Sequence, residues 1–381
     1  MEITNKTARR VRGSRLARTA LLGTVAAAAL TISAVIPAGA SSGSAGVTRA
    51  RAVATAAERV PTHILQTTRL KTKPTSHKFI FIYDDIQQSQ VIGNGAIAGL
   101  QAAGWQTSEL EWFTANPSTL VTELRTALAQ HPFAVSFAGA TEAVWGSVVA
   151  AYKAAHVWLI PSVVGPQATT YPAYPIGANI SSFLQGGAAL GDWTIADANG
   201  HANVLVSDVN VYPILTTAYT GFRQAFRANC SACNIHYLPM DLTTWATNSA
   251  TTNGQIVSWL RQNLTYNYVM TTDLTFTGGL RSALNTAGLN NVKIIGAQPN
   301  PPDFSELQAG QESAFVANNN TVGGWAIADA ALRLSEGMNP AQSNLGQPYQ
   351  LVTPSNVSIG FNLVGKPAGY ISGYRHLWRL G

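Results

Sequence analysis

The sequence predicts an α/β protein with two doubly wound, parallel-sheet lobes. Three observations lead there. Short β-rich apolar runs alternate with helical stretches of about 10–15 residues along most of the chain. The runs are continuously apolar rather than alternating, the pattern of strands buried on both faces of a parallel sheet. The chain has 381 residues, 46% of them hydrophobic. That is too many strand–helix units for one sheet and enough apolar mass for two cores.

The first strand is KFIFIYDD (78–85), and a helix follows over about 91–103, stopped by Gly104. The next strand, FAVSFAG (133–139), leads to a helix at 142–155, and VWLIPSVV (157–164) is the third strand. YPIGANI (174–180) is extended and enters a helix over 182–196. ANVLVSDV (202–209) pairs with a helix at 214–229, and NIHYLPM (234–240) with one at 247–263. YNYVMTTD (266–273) precedes a helix at 278–287, and VKIIGAQ (292–298) is the next strand. AFVANN (314–319) is extended before a helix over 321–336. The tail 342–381 carries NVSIGFNLV and GYISGYRHLW and is expected to add an edge strand and wrap the second lobe. In doubly wound sheets ligands bind beyond the carboxyl ends of the strands. Those ends fall at Asp84-Asp85, Gly139, Val164-Gly165, Asp208, Asp241, Thr272-Asp273 and Gln298.

The net charge of +6 divides unevenly. Residues 1–40 hold six basic residues and one acid, and residues 41–78 hold seven and one. The remainder, 79–381, has 11 basic and 16 acidic residues, a net of −5. A basic footprint for nucleic acid is therefore absent from the folded part. Residues 1–40 read as a signal peptide: a basic stretch to Arg18, an apolar run from Thr19 to Ile36, and Ala38-Gly39-Ala40 for cleavage. The alternative is an uncleaved membrane anchor, since the run is close to spanning length. Either way the chain is expected outside the cytoplasm: extracellular, in the cell wall, or periplasmic. Residues 41–78, rich in Ala, Ser, Thr and basic residues, read as a flexible basic linker.

Only two cysteines occur, Cys230 and Cys233. In an exported chain a disulfide is the first expectation. A redox pair belongs at a helix N-terminus, whereas this one follows the end of a helix. A zinc site would need two more ligands, and His236 alone does not supply them.

Gly93-Asn94-Gly95-Ala96-Ile97-Ala98-Gly99 looks like a dinucleotide fingerprint, but its first glycine lies ten residues past the strand end at Tyr83. A phosphate turn must sit at the strand–helix junction, so these glycines read as helix-packing residues. No GxxxxGK[ST] loop, GxSxG elbow or HExxH motif is present. No cofactor, metal site or catalytic residue is expected, and the chain reads as a non-enzyme.

Several segments together resemble the periplasmic sugar-binding proteins of ABC importers, the ribose-binding or type I solute-binding kind. FIFIYDDIQQSQVIGNGAIAGLQAAGWQ is similar to their first strand, mouth loop and first helix. IGANISSFLQGGAALGDWTI resembles the crossover and the helix after it, and ANVLVSDVNVYPILTTAYTGFRQAF the next strand and helix. YVMTTDLTFTGGLRSALNTAGLNNVKIIGAQ and FVANNNTVGGWAIADAALRLSEG complete the series over roughly residues 79–340. The resemblance implies two lobes joined by three crossover segments, with a ligand clamped between them by hinge closure. It implies a first lobe of 79–178 plus about 319–345 and a second of 179–318 plus about 346–381.

The resemblance also implies where ligand contacts fall. Asp85, Gln88 and Ser89 take the first mouth loop, without the aromatics usual there. Thr216 stands at a helix start that lacks the usual Arg. Trp245 stands where an aromatic often stacks on a sugar. Thr272 replaces a frequent Asn, and Asp273 keeps the following acid. Gln298 replaces a strand-end Asp, and Asn318 stands at the return crossover. A cleft short of its usual charges grips hydroxyls less strongly. The implied ligand is therefore a sugar, a polyol or a nucleoside-like compound. The first functional reading is a monomeric receptor that delivers a small polar solute to an ABC permease in the membrane. The alternative is a ligand-sensing or cell-surface interaction module on the same fold.

Overall fold

The computed structural model describes residues 42–164, 180–208, 213–241, 244, 248–340, 346–357 and 367–381. The signal-peptide reading of residues 1–40 lies outside the described residues, as do Trp245 and most of the expected extended segment 174–180. Among the described residues no helix is long and apolar enough to cross a membrane.

The chain enters through α1 (Ser42–Ala57), then forms β1 (Lys78–Tyr83), α2 (Gln87–Ala102), β2 (Gln106–Glu111) and α3 (Ser118–Leu128). Next come β3 (Ala134–Ala138), α4 (Glu142–Trp145), α5 (Val149–Ala154) and β4 (Trp158–Ser162). A 3-10 turn at Gly146–Val148 separates α4 from α5, so the single helix expected over 142–155 is broken. The second half holds α6 (Ile180–Asp197), β5 (Asn203–Asp208), α7 (Pro213–Asn229), β6 (Asn234–Pro239) and α8 (Ser249–Gln262). It continues with β7 (Tyr268–Thr271), α9 (Leu280–Thr286), β8 (Lys293–Ala297), α10 (Pro301–Gln308) and β9 (Ala314–Asn318). The chain ends with α11 (Asn320–Ser335), β10 (Tyr349–Val352) and α12 (Tyr370–Leu377).

Two sheets result. The first runs β2-β1-β3-β4, all parallel. The second runs β10-β9-β8-β7-β5-β6, parallel except for the antiparallel edge strand β10. Inner strands are apolar on both sides because helices cover both faces. In β1, Phe79 and Phe81 enter one core with Trp325 and Trp378, while Ile80 and Ile82 enter the opposite core with Trp145 and Tyr152. The second sheet divides likewise: Leu205 and Val269 face one core, Val204 and Met270 the other. Edge strand β2, QTSELE, has no buried residue, which is why it carries no apolar signature.

The glycines of α2 act in packing. A Cβ on Gly95 would lie 2.4 Å from the Thr321 carbonyl oxygen, and one on Gly324 would lie 2.1 Å from that of Ile92. Their lack of side chains lets α2 and α11 meet backbone to backbone. Cys230 and Cys233 form a disulfide in the turn between α7 and β6.

Two expectations require correction. Residues 41–78 are not a flexible linker. Helix α1 buries Val47, Ala50 and Ala54 in the second lobe with Tyr219 and Phe222. These positions recur at helical spacing, and their small size hides the apolar stripe in a composition that reads as a tether. The chain then passes to the first lobe. The Glu58 carbonyl accepts from Gln350 Nε2 (2.8 Å) and Asn356 Nδ2 (3.1 Å), and Leu70 is fully buried in the first-lobe core. The tail is the second correction. β10 pairs with β9 in the second sheet, but α12 returns to the first lobe. Trp378 stacks on Trp325 with ring centroids 5.2 Å apart. Burying these aromatics against α11 outweighs wrapping the second lobe.

Candidate functional site

The strand order changes direction between β1 and β3 in the first sheet and between β5 and β7 in the second. These switch points open crevices at the strands' carboxyl ends. The loops leaving those ends face one another and line a partly open cavity of about 50 Å³. Its walls include Asp84, Ile86, Gln88, Ser89 and Ile92 after β1, and Ala138, Gly139 and Val163 after β3 and β4. The second lobe adds Phe183, Ile214, Leu215, Asp273, Thr275, Phe276 and Gln298, and Asn320 stands at the start of α11.

Asp84 follows the last residue of β1 and is 3% exposed. Its Oδ1 accepts the Ile86 amide (3.0 Å), and its own amide donates to Ser89 Oγ (3.3 Å). This local turn starts α2. Burial pushes the carboxyl up to about 7, even though hydrogen bonds from Ile86 and Ser89 favour its charged form. Across the cleft, Asp273 lies two residues past β7 and caps a 3-10 turn, Leu274–Thr277, by accepting the Thr275 amide at 2.9 Å. Burial raises this carboxyl also to about 7, and the charge of Asp303 adds to the effect.

Gln88 joins the lobes. From α2 its Nε2 reaches Asn300 Oδ1 (2.9 Å), Thr275 Oγ1 (3.3 Å) and the Gln298 carbonyl (3.3 Å). Asn320 Nδ2 in turn donates to Gln298 Oε1 at 3.3 Å. Val163 packs against the cores of both lobes. Its φ is 52°, and that of Gln298 is 53°. A β-branched residue rarely adopts this left-handed conformation, and such strain gathers at ligand clamps and switch regions.

The expected contact residues separate into two groups. Gln88, Ser89, Asp273 and Gln298 line the cavity. Asp85, Thr216, Thr272 and Asn318 do not. Asp85 is exposed and accepts the Thr114 amide at 3.1 Å, while its neighbour Asp84 takes the cavity side. Adjacent residues in extended chain point to opposite sides, and the turn after β1 chooses which acid turns inward. Thr216 is exposed beside the buried Ile214 and Leu215. Thr272 and Asn318 are buried away from the cavity. Trp245 lies outside the described residues. Asp84 was named only as a strand end and not as a contact, although the Asp-x-Ile-x-x-Ser spacing of its turn marks it; Thr275 and Asn320 were not named at all.

Among the described residues one group of carboxylates stands at metal-ligand spacing. Oxygens of Asp303, Glu306 and Glu312 lie within 4.8 Å of one another behind the cleft wall. Asp303 is already engaged in capping α10 through the Asn300 amide.

No family model and no curated protein matches the chain. Solved structures do match in fold. A glucose-galactose binding protein from Geobacillus stearothermophilus is 15% identical, with a TM-score of 0.63 over 75% of this chain and 100% of that one. A carbohydrate transporter solute binding protein from Agrobacterium radiobacter, in complex with D-arabinose, is 18% identical. Its TM-score is 0.61, over 78% of this chain and 99% of that one. A Caulobacter myo-inositol binding protein bound to myo-inositol is 16% identical, with a TM-score of 0.61 over 74% and 94%. The chain therefore has the two-lobed type I periplasmic binding protein fold.

Proposed function

We propose that this chain is an extracytoplasmic solute-binding protein that clamps a small polar ligand between its lobes for ABC-type import. Sugars and sugar-like compounds are the first class to consider, since proteins of this fold have been solved with D-arabinose and myo-inositol. Gln88, Ser89, Asp273 and Gln298, with Asp84 and Asn320, are proposed as the ligand-facing groups.

The observation that carries the reading is the set of Gln88 hydrogen bonds across the cleft. They hold the lobes together around a space of about 50 Å³. Sites for drug-sized ligands occupy roughly 300–1,000 Å³, so a solute enters only when the lobes part. Closure on the solute then replaces Gln88's protein partners with ligand groups. Differential affinity for the closed form makes occupancy readable by a membrane partner.

The test is a thermal-shift screen of sugars, polyols and nucleosides, with small-angle scattering on any compound that stabilises the protein. A ligand at 100 times its dissociation constant adds about 2.7 kcal/mol. Gln88→Ala should weaken that ligand at least tenfold. If no small solute stabilises the chain or changes its scattering, the reading fails.

A further inference from the structure

The charges in the stretches that follow the parallel strands are one-sided. These stretches are 84–90, 111–118, 139–149, 163–187, 208–222, 240–260, 271–280, 297–308 and 318–325. Together they carry nine Asp or Glu and no Lys, Arg or His. The cations lie elsewhere: Lys78 and Lys293 begin β1 and β8, and Arg223, Arg227 and Arg261 sit in the later parts of α7 and α8. Helix N-termini at the strand ends account for some of this bias, because they favour acids. Asp84 and Asp273 stand at such starts but, unlike the other seven acids, they also line the cavity. Each already accepts a backbone amide, yet burial still holds both carboxyls near 7.

A second observation points the same way. Two cavity-lining amides leave a buried oxygen without a hydrogen-bond partner among the described residues: Gln88 Oε1 and Asn320 Oδ1. Both are acceptors. The cavity is thus lined by two carboxyls and two unpartnered amide oxygens, and by no Lys, Arg or His. A buried acceptor left unpaired costs stability, so a ligand that supplies donors is favoured. A neutral hydroxyl brings one donor, whereas an ammonium brings three donors and a charge. The remaining walls, including Ile86, Ile92, Phe183 and Phe276, are apolar. They cannot complete the six or more oxygens that a hard metal ion takes, but they suit the C–H surface of an organic body.

Building on the solute-binding reading, we infer that the solute carries a protonated amine. The amine seats against Asp84 from the first lobe and Asp273 from the second, with Gln88 Oε1 and Asn320 Oδ1 accepting its N–H groups. Its carbon body packs on the isoleucine and phenylalanine walls. Because the two carboxylates come from different lobes, the amine also draws the lobes together.

Matched pairs isolate the charge. Glucosamine is compared with glucose, and isoamylamine with isoamyl alcohol, by calorimetry and thermal shift on the full chain at neutral pH. At least one amine should bind ten times or more tighter than its neutral partner. Asp273→Asn, and separately Asp84→Asn, should erase the preference with circular dichroism unchanged. If a neutral member binds as well as its amine, or both variants keep the preference, the inference is overturned while solute binding stands. Should sugars and polyols bind and no amine do so, the same holds. If neither these probes nor a wider solute panel binds, the solute-binding reading itself falls.

Discussion

Removing the carboxylate of Asp329 should unlock both ends of the chain from the first lobe. Asp329 lies in α11 with no solvent exposure. It accepts from Arg333 Nε (2.6 Å) and Nη2 (3.1 Å), from Trp378 Nε1 (2.7 Å) and from Gln66 Nε2 (3.0 Å). Three separate pieces of chain thus meet on one carboxylate: the segment after α1, the core helix and the residue after α12. Asp329→Ala strands the fully buried Arg333 guanidinium, whose Nη1 already lacks a hydrogen-bond partner among the described residues. Breaking one side of a buried pair costs about 3–5 kcal/mol. An unfolding entropy of about 2.1 cal/mol/K per residue over roughly 340 residues gives about 0.7 kcal/mol/K. The melting temperature should therefore fall by about 4–7 °C. Calorimetry reads that shift, and near-ultraviolet circular dichroism reads the loosened Trp325–Trp378 stack. The double variant Asp329→Leu with Arg333→Met should lose much less, because no charge is left stranded. A single variant melting within 1 °C of the parent, or a double variant as damaged as the single, would refute the account.

Three further outcomes are expected. Asp84 and Asp273 are raised to about 7 and Glu312 to about 9, all chiefly by burial. The folded state thus holds protons that the unfolded state has released. The stability they contribute is full below about pH 4 and is lost as pH rises through about 7 to 9; melting curves at pH 5, 7 and 9 without bound solute should show a steady fall, and a flat profile would contradict it. Gly324→Ala places a Cβ against the Ile92 carbonyl where only backbone can yield, so it should cost about 1–3 kcal/mol by overpacking, read by urea denaturation. Ala50→Asp puts a charge on the fully buried face of α1; limited proteolysis should then cut within 42–77, a segment expected to resist protease in the parent chain.

The strand–helix order was legible in the sequence because inner strands and helix faces are local patterns. FIFIY in β1 and AVSFA in β3 are buried throughout, so each reads as a strand without reference to the other. The Gly93–Gly99 series was separable from a phosphate loop by position alone. What escaped were elements whose burial is one-sided or made of small residues. β2 is a polar edge, and the apolar residues α1 buries, Val47, Ala50 and Ala54, are small.

The site divides in the same way. Its address, beyond the carboxyl ends of the strands, follows from a parallel sheet and could be read from the chain, as could the cation-free stretches around it. Which of Asp84 and Asp85 turns inward, or of Thr272 and Asp273, is decided by turns only two or three residues long, where neighbouring side chains point apart. That Gln88 spans to Asn300, and that α1 and α12 attach to different lobes, depends on pairs hundreds of residues apart in sequence. Local periodicity carries the first kind of information because each residue reports its own burial. Long-range pairing is set by the collective shape of the packed lobes, which no single segment encodes.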